Sequence, residues 1–200
     1  MTAQSTATRG PGRPRIADHD EKILDAVVSM VDRDEAITVN SVVEASGVSR
    51  AALYRRWSSM TELVATALDR GRSPIRFDLT KPVKEAITEL MFADMQRVRG
   101  ENYSDRSFRK RIQLVMASPD LQEAYWQSHV HRRRAAITEA LQVGVERGEL
   151  RADLNVEAAI DGINGVFYYQ TVVRGESLEN PETRHRCREA FEIFWRGMQA

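Results

Sequence analysis

The sequence predicts an all-α protein, on three observations. Apolar residues recur every three or four positions along almost the whole chain, the spacing of a helix with one buried face. No segment of useful length alternates polar and apolar residues, as a half-buried strand does. Helix-starting residues stand before the apolar runs, at Thr38, Ser49, Ser59, Ser118, Asn155 and Asn180. Each carries a side-chain oxygen that can accept from an unpaired N–H of the first turn.

Taken in order, Asp18 and Glu21 form a capping box, and Ile23, Ala26, Val27, Met30 and Val31 follow at helical spacing. Thr38 caps a short second helix to about Ala45; Gly47 breaks it, and Ser49 caps a third to about Trp57. Ser59 and Glu62 open a fourth, lined by Met60, Leu63, Val64, Ala67 and Leu68 and ending near Gly71. Residues 72–80 read as a linker. A helix begins at Pro82, placed in a first turn where its missing N–H costs nothing, and reaches about Val98. Further helices span Ser107 to Ala117, Ser118 to Gly148, Asn155 to Arg174, and Asn180 to the C-terminus.

The 200 residues carry 29 basic and 29 acidic side chains, a net charge of zero. This excludes coating of nucleic acid by bulk charge. Charge is nevertheless segregated. Arg9, Arg13 and Arg15 stand without acids in residues 1–16, and Arg50, Arg55 and Arg56 do so in 48–58, while 18–35 are strongly acidic. Two small basic patches on a neutral body point to a directed contact with an anion. The single cysteine, Cys187, fits a reducing compartment. The first residues hold no apolar run of a signal peptide, and no apolar run approaches the ~18 residues of a membrane span. A cytoplasmic protein with no membrane contact is expected.

Two short helices around a Gly-containing turn, within Thr38 to Leu63, make a helix-turn-helix, whose second helix enters the DNA major groove. With Leu53 buried and Val48 packing from the turn, Ala51 and Arg55 point away from the core, with Tyr54 to one side. The small Ala51 and Ala52 let the backbone approach DNA. Arg50, Arg55 and Arg56 can donate to guanine edges or phosphates, and Tyr54 and Thr38 offer hydroxyls to phosphate. Without DNA, the same pattern is a surface helix hairpin with scattered arginines. The arm from Arg9 through Arg13 to Arg15 is held extended by Gly and Pro and suits an A·T minor groove. The alternative reading of the same composition is a solvated tail with no DNA contact.

Gly47-Val48-Ser49, Leu53-Tyr54, Trp57, Ser59 and Glu62-Leu63 resemble the DNA-binding signature of the TetR (tetracycline-repressor-like) family of bacterial regulators. The resemblance covers about residues 18–65. It implies a homodimeric transcriptional repressor, usually released from double-stranded operator DNA by a small-molecule effector. The family's DNA contacts fall here on Thr38, Arg50, Ala51, Ala52, Tyr54, Arg55 and Arg56. The chain departs from the family pattern twice. Met60 stands where a phosphate-contacting Lys is usual, and Asp34-Glu35-Ala36 stand where Gly is favoured between helices one and two. The expected organisation is an arm (1–17), a DNA-binding domain (18–64) and a regulatory and dimerisation domain (65–200).

In that last domain the helix from Asn155 is apolar on two sides. Val156, Ile160, Ile163, Phe167 and Thr171 make one face, and Ala158, Gly162, Gly165, Tyr169 and Val173 the other. A helix apolar all round is buried on both sides. The last helix carries the stripe Cys187, Ala190, Phe191, Phe194, Trp195 and Met198, whose aromatics call for a partner surface. The expected interface, a four-helix arrangement as in the family, uses Gly162, Gly165, Tyr169, Val173, Cys187, Phe191, Phe194, Trp195 and Met198. The bland alternative is that both stripes fill the chain's own core.

Asp94 falls inside the apolar stripe of the Pro82 helix, about 20° from Val83 on the wheel. A carboxylate there needs an ion-pair partner or a ligand group. Met91, Asp94, Met95, Met116, Tyr125, Trp126, His129 and Phe167 are the candidate effector-pocket residues, although helical Met and aromatics more often simply fill core. His129 and His131, two apart on a helix, do not converge on a metal. Arg109-Lys110-Arg111 and Arg132-Arg133-Arg134 read as solvated faces. No nucleophile–base motif, phosphate loop or zinc spacing occurs, and no cofactor is expected. Two rivals stand beside the repressor reading: a helix-turn-helix regulator without a small-molecule effector, and a small helical enzyme using Asp94 and His129.

Overall fold

The computed structural model describes residues 16–70, 75–93 and 104–200. Among these residues every extended regular element is helical, and β pairing is confined to one antiparallel bridge between Leu150 and Gln199. The chain packs as two units, one through Met60 and one from Thr61 onward.

In the first unit α1 (Ile16–Arg33) begins before Asp18. Asp18 therefore lies inside the first turn, where its charge favours the helix dipole, and the expected capping box does not form the start. Asp34 ends the helix with φ 58°, and the Glu35 N–H donates back to the Met30 carbonyl at 3.0 Å. That left-handed turn is where the family resemblance led one to look for glycine. α2 (Val39–Ser46) is capped reciprocally by Thr38 and Ser41, and Gly47 closes it at φ 66°. α3 (Arg50–Tyr54) is capped by Ser49, whose side chain accepts from Ala52 N–H. It stops before Trp57, the end expected from sequence. α1 packs on α2 and α2 on α3, and Ile23, Val27, Val42, Val48, Leu53 and Trp57 are buried.

The second unit takes in α4 (Met60–Leu68) from Thr61 on and α5 (Val83–Thr88), which runs on into a π-helical turn at Glu89–Ala93. α6 (Asp105–Met116) follows. The single long helix expected from Ser118 is α7 (Pro119–Tyr125) and α8 (His131–Glu146), joined through a π-turn at Trp126–Val130. α9 (Val156–Tyr168) ends in a third π-turn, Tyr169–Val173, and α10 (Pro181–Met198) closes the unit. Pro82 is the N-cap of α5 rather than a first-turn residue. It has no capping side chain, and Glu149 supplies one from a distance, accepting from Val83 N–H at 2.7 Å. α8 approaches α5 closely at Gly144, where a Cβ would stand 2.8 Å from the Leu150 side chain and 3.6 Å from Val83. Val83, Ile87, Phe92, Leu141, Ile160, Ile163, Cys187, Phe191 and Trp195 belong to one buried cluster. No helix among the described residues is long and apolar enough to cross a membrane.

Candidate nucleic-acid interface

Capping fixes both helices of the helix-turn-helix, and with them the side chains on their outer rim. Arg50, Ala51, Tyr54 and Arg55 are exposed on and just after α3, and Thr38 and Asn40 at the start of α2. The rim presents guanidinium and hydroxyl donors, which suit phosphates and guanine edges. Thr38 is partly committed, because its hydroxyl accepts from Ser41 N–H.

Two predicted contacts lie inward instead. Ala52 is buried, because it follows the exposed Ala51 by 100° on the wheel and turns with Leu53 toward the core. Arg56 exposes only 12% of its side chain, pairs with Asp20 of α1, and donates to the Ala52 carbonyl at 2.9 Å. It braces α3 against α1 and does not reach outward. Asn40, absent from the expectations, sits on the rim and accepts a 2.7 Å hydrogen bond from Arg50 Nη2. Its signal was available in sequence, since a helix-turn-helix brings the start of α2 near the start of α3. Arg13 and Arg15 lie outside the described residues.

A helix-turn-helix with an arginine-bearing outer rim, joined to a larger helical unit, defines a DNA-binding regulator. Residues 35–67 match the family model for bacterial regulatory proteins of the tetR family, and residues 89–190 match that for the tetracyclin repressor-like C-terminal domain. The chain belongs to the TetR family. It is a DNA-binding transcriptional regulator, and the enzyme reading is set aside with that membership. It is similar to the uncharacterized HTH-type regulator YdeS of Bacillus subtilis, 27% identical with 94% of each chain covered. It is also similar to the regulator NfxB of Pseudomonas aeruginosa, 28% identical over 82% of this chain and 89% of that one. A crystal structure from Mesorhizobium loti, assigned to the same family, shares the fold with a TM-score of 0.63 at 15% identity, covering 94% of this chain and all of that one.

In the second unit the structure sorts the expected interface residues into two sets. Cys187, Phe191, Trp195 and Met198 are buried within the chain itself. Phe191 stacks near Phe92 and Trp195, with centroids 5.8 and 5.7 Å away. These four fill core and do not face outward; steps of four, four and three residues from Cys187 keep them on the inner side. Gly165, Tyr169, Val173 and Phe194 are exposed. The Phe194 ring lies over Gly162, where a Cβ would meet it at 2.8 Å. Ile193, outside the predicted stripe, is exposed as well.

Among the effector candidates, Tyr125 is buried, and Met91 and Phe167 are half-buried against the core. Met116 is 68% exposed and cannot line an enclosed cavity. Trp126 is also exposed, with the Arg134 guanidinium 5.4 Å from its ring. Asp94, Met95 and the His129 side chain lie outside the described residues. The wheel that placed Asp94 assumed an unbroken α-helix from Pro82, and the π-turn at Glu89–Ala93 removes that premise. Phe92, not singled out in sequence, is the central aromatic: its ring centroid is 5.8 Å from that of Phe167, and Arg188 stacks on it at 4.9 Å.

Proposed function

We propose that this regulator is a homodimeric repressor that holds a palindromic operator and releases it when a small-molecule effector binds the second unit. The observation that carries the dimer is the set of exposed apolar side chains on the π-turn that ends α9 and on α10. Val173 and Ile193 are 68% and 70% exposed, beside Tyr169 and Phe194, while the inner sides of the same helices are already filled. Large apolar side chains left this exposed favour association, and a two-fold axis is the usual solution for identical chains. That axis imposes an inverted repeat on the DNA.

For the effector, the candidate residues that the fold supports are Met91 and Phe167, half-buried against the same core cluster, and the buried Tyr125. Side chains of this apolar kind would suit a mostly hydrophobic molecule. Release requires the effector to prefer the form that misfits the operator, since equal affinity for both forms shifts nothing.

Selection of bound duplexes from a random library tests the reading. An inverted repeat is expected; a lone, unrepeated site bound by one chain overturns it. Val173→Glu, which places a charge on the proposed interface, is expected to yield monomer in sedimentation and lost operator binding. A thermal-shift screen tests the effector, because a ligand that binds only the folded chain raises Tm.

A further inference from the structure

Arg50 stands at the first position of α3, where a long side chain has many ways to leave the helix. Its guanidinium is nonetheless tied down: Nη2 donates to Asn40 Oδ1 at 2.7 Å, across ten residues of sequence. Asn40 is the second residue of α2, whose first turn is itself fixed by the Thr38–Ser41 capping box. Both Asn40 and Arg50 are exposed, so burial does not impose the contact. We propose that Asn40 is a positioning residue for Arg50, aiming its guanidinium at one base pair of each operator half-site and so setting the preference there. This rests on the reading that Arg50 contacts a base edge.

The chemistry fits. Guanidinium has five N–H donors in a rigid plane. One bond to Asn40 fixes the plane and leaves the remaining donors for the two acceptors of a guanine edge, N7 and O6. Arginine also carries much rotamer freedom, which is lost when it docks. A side chain already held loses less on binding, an effect of roughly 3- to 10-fold in Kd, or about 0.7–1.4 kcal/mol for one immobilised side chain. An amide at position 40 performs this as an acceptor; Ala removes the acceptor, and Asp keeps it but adds a charge close to the phosphates.

The test runs full-length wild type, Asn40→Ala, Asn40→Asp, Arg50→Ala and the double variant against a random duplex library, then measures Kd on the best duplex. Preference is a ratio among sequences for the folded fraction, so a purely structural effect does not move it. Arg50→Ala is expected to flatten the preference at one base pair per half-site. Asn40→Ala is expected to weaken the best duplex about 3- to 10-fold, flatten the same pair, and add nothing on top of Arg50→Ala. Asn40→Asp is expected to weaken all duplexes while keeping that preference. Asn40→Ala with the preference intact, or flattening a different pair, overturns the proposal alone, as does Asn40→Asp that loses the preference. If Arg50→Ala flattens no pair, base reading by Arg50 falls and the proposal falls with it.

Discussion

The two units differ in how their helices keep register. In residues 16–60 the helices run without a π-turn, and α2 and α3 each begin on a side chain that caps them, Thr38 and Ser49. In the second unit three helical paths pass through π-turns, at Glu89–Ala93, Trp126–Val130 and Tyr169–Val173. Each π-turn inserts a residue and so rotates the helix beyond it by about 100° on the wheel. Phe92 therefore takes the core place that an unbroken helix would give to Met91. After α9, Gln170 and Thr171 are buried while Tyr169 and Val173 face outward. A helical wheel is reliable only between such insertions.

The largest expected effect tests the inward assignment in the second unit. Phe191 is fully buried between Phe92 and Trp195, so Phe191→Ala should cost about 3–5 kcal/mol of stability, read by chemical denaturation. If the loss is small and sedimentation shifts to monomer instead, Phe191 belongs to an interface and the sorting of α10 is wrong. The same burial pushes the Cys187 thiol above its usual pKa.

Most of the first unit was legible in the sequence because its signals are local. Thr38, Ser49 and Gly47 act on backbone within a few residues of themselves. The all-helical class was legible for the same reason. The inward turn of Arg56 was not, because it depends on Asp20, far away in sequence on α1. The inner and outer sides of α10 were also merged: Phe194 joined the stripe of Phe191 and Trp195, and only packing against Gly162 separates them. The π-turns have no residue-type signature that composition or spacing could show.

Close approach within the second unit gives the next effect. At Gly144 an added Cβ would stand 2.8 Å from Leu150, itself fully buried. Gly144→Ala should cost about 1–3 kcal/mol through overpacking, although it improves helix propensity. A variant as stable as wild type, in the same denaturation measurement, would mean that the buried Leu150 side chain can give way without cost.

Two neighbouring arginines sharpen the contrast in the first unit. Arg55 is exposed, whereas Arg56 is held by Asp20 and the Ala52 carbonyl. Arg55→Ala should weaken operator binding by about 1–3 kcal/mol if it reads a base, with Tm unchanged. Arg56→Ala should cost about 1 kcal/mol of stability, since Asp20 is partly solvated and the pair is correspondingly screened. The reversed pattern, with Arg56→Ala affecting only DNA binding, would show that this arginine leaves Asp20 to meet the duplex.

The smallest effect lies at Asp34, where the first unit resolves a departure from its family. Its φ of 58° is a left-handed conformation that costs an L-residue about 1–2 kcal/mol, less for Asp because its short side chain bonds locally. Glycine removes that cost but gives the unfolded chain more freedom to lose. The net expectation for Asp34→Gly is a gain of a few tenths to about 1 kcal/mol. Asp34→Ala should move the other way, because alanine keeps the Cβ and lacks the local hydrogen bonds. Opposite signs, read from denaturation midpoints at equal m-values, would show that backbone conformation governs this turn. If both variants lose stability equally, the carboxylate holds the turn and the glycine favoured by the family is not its equivalent here.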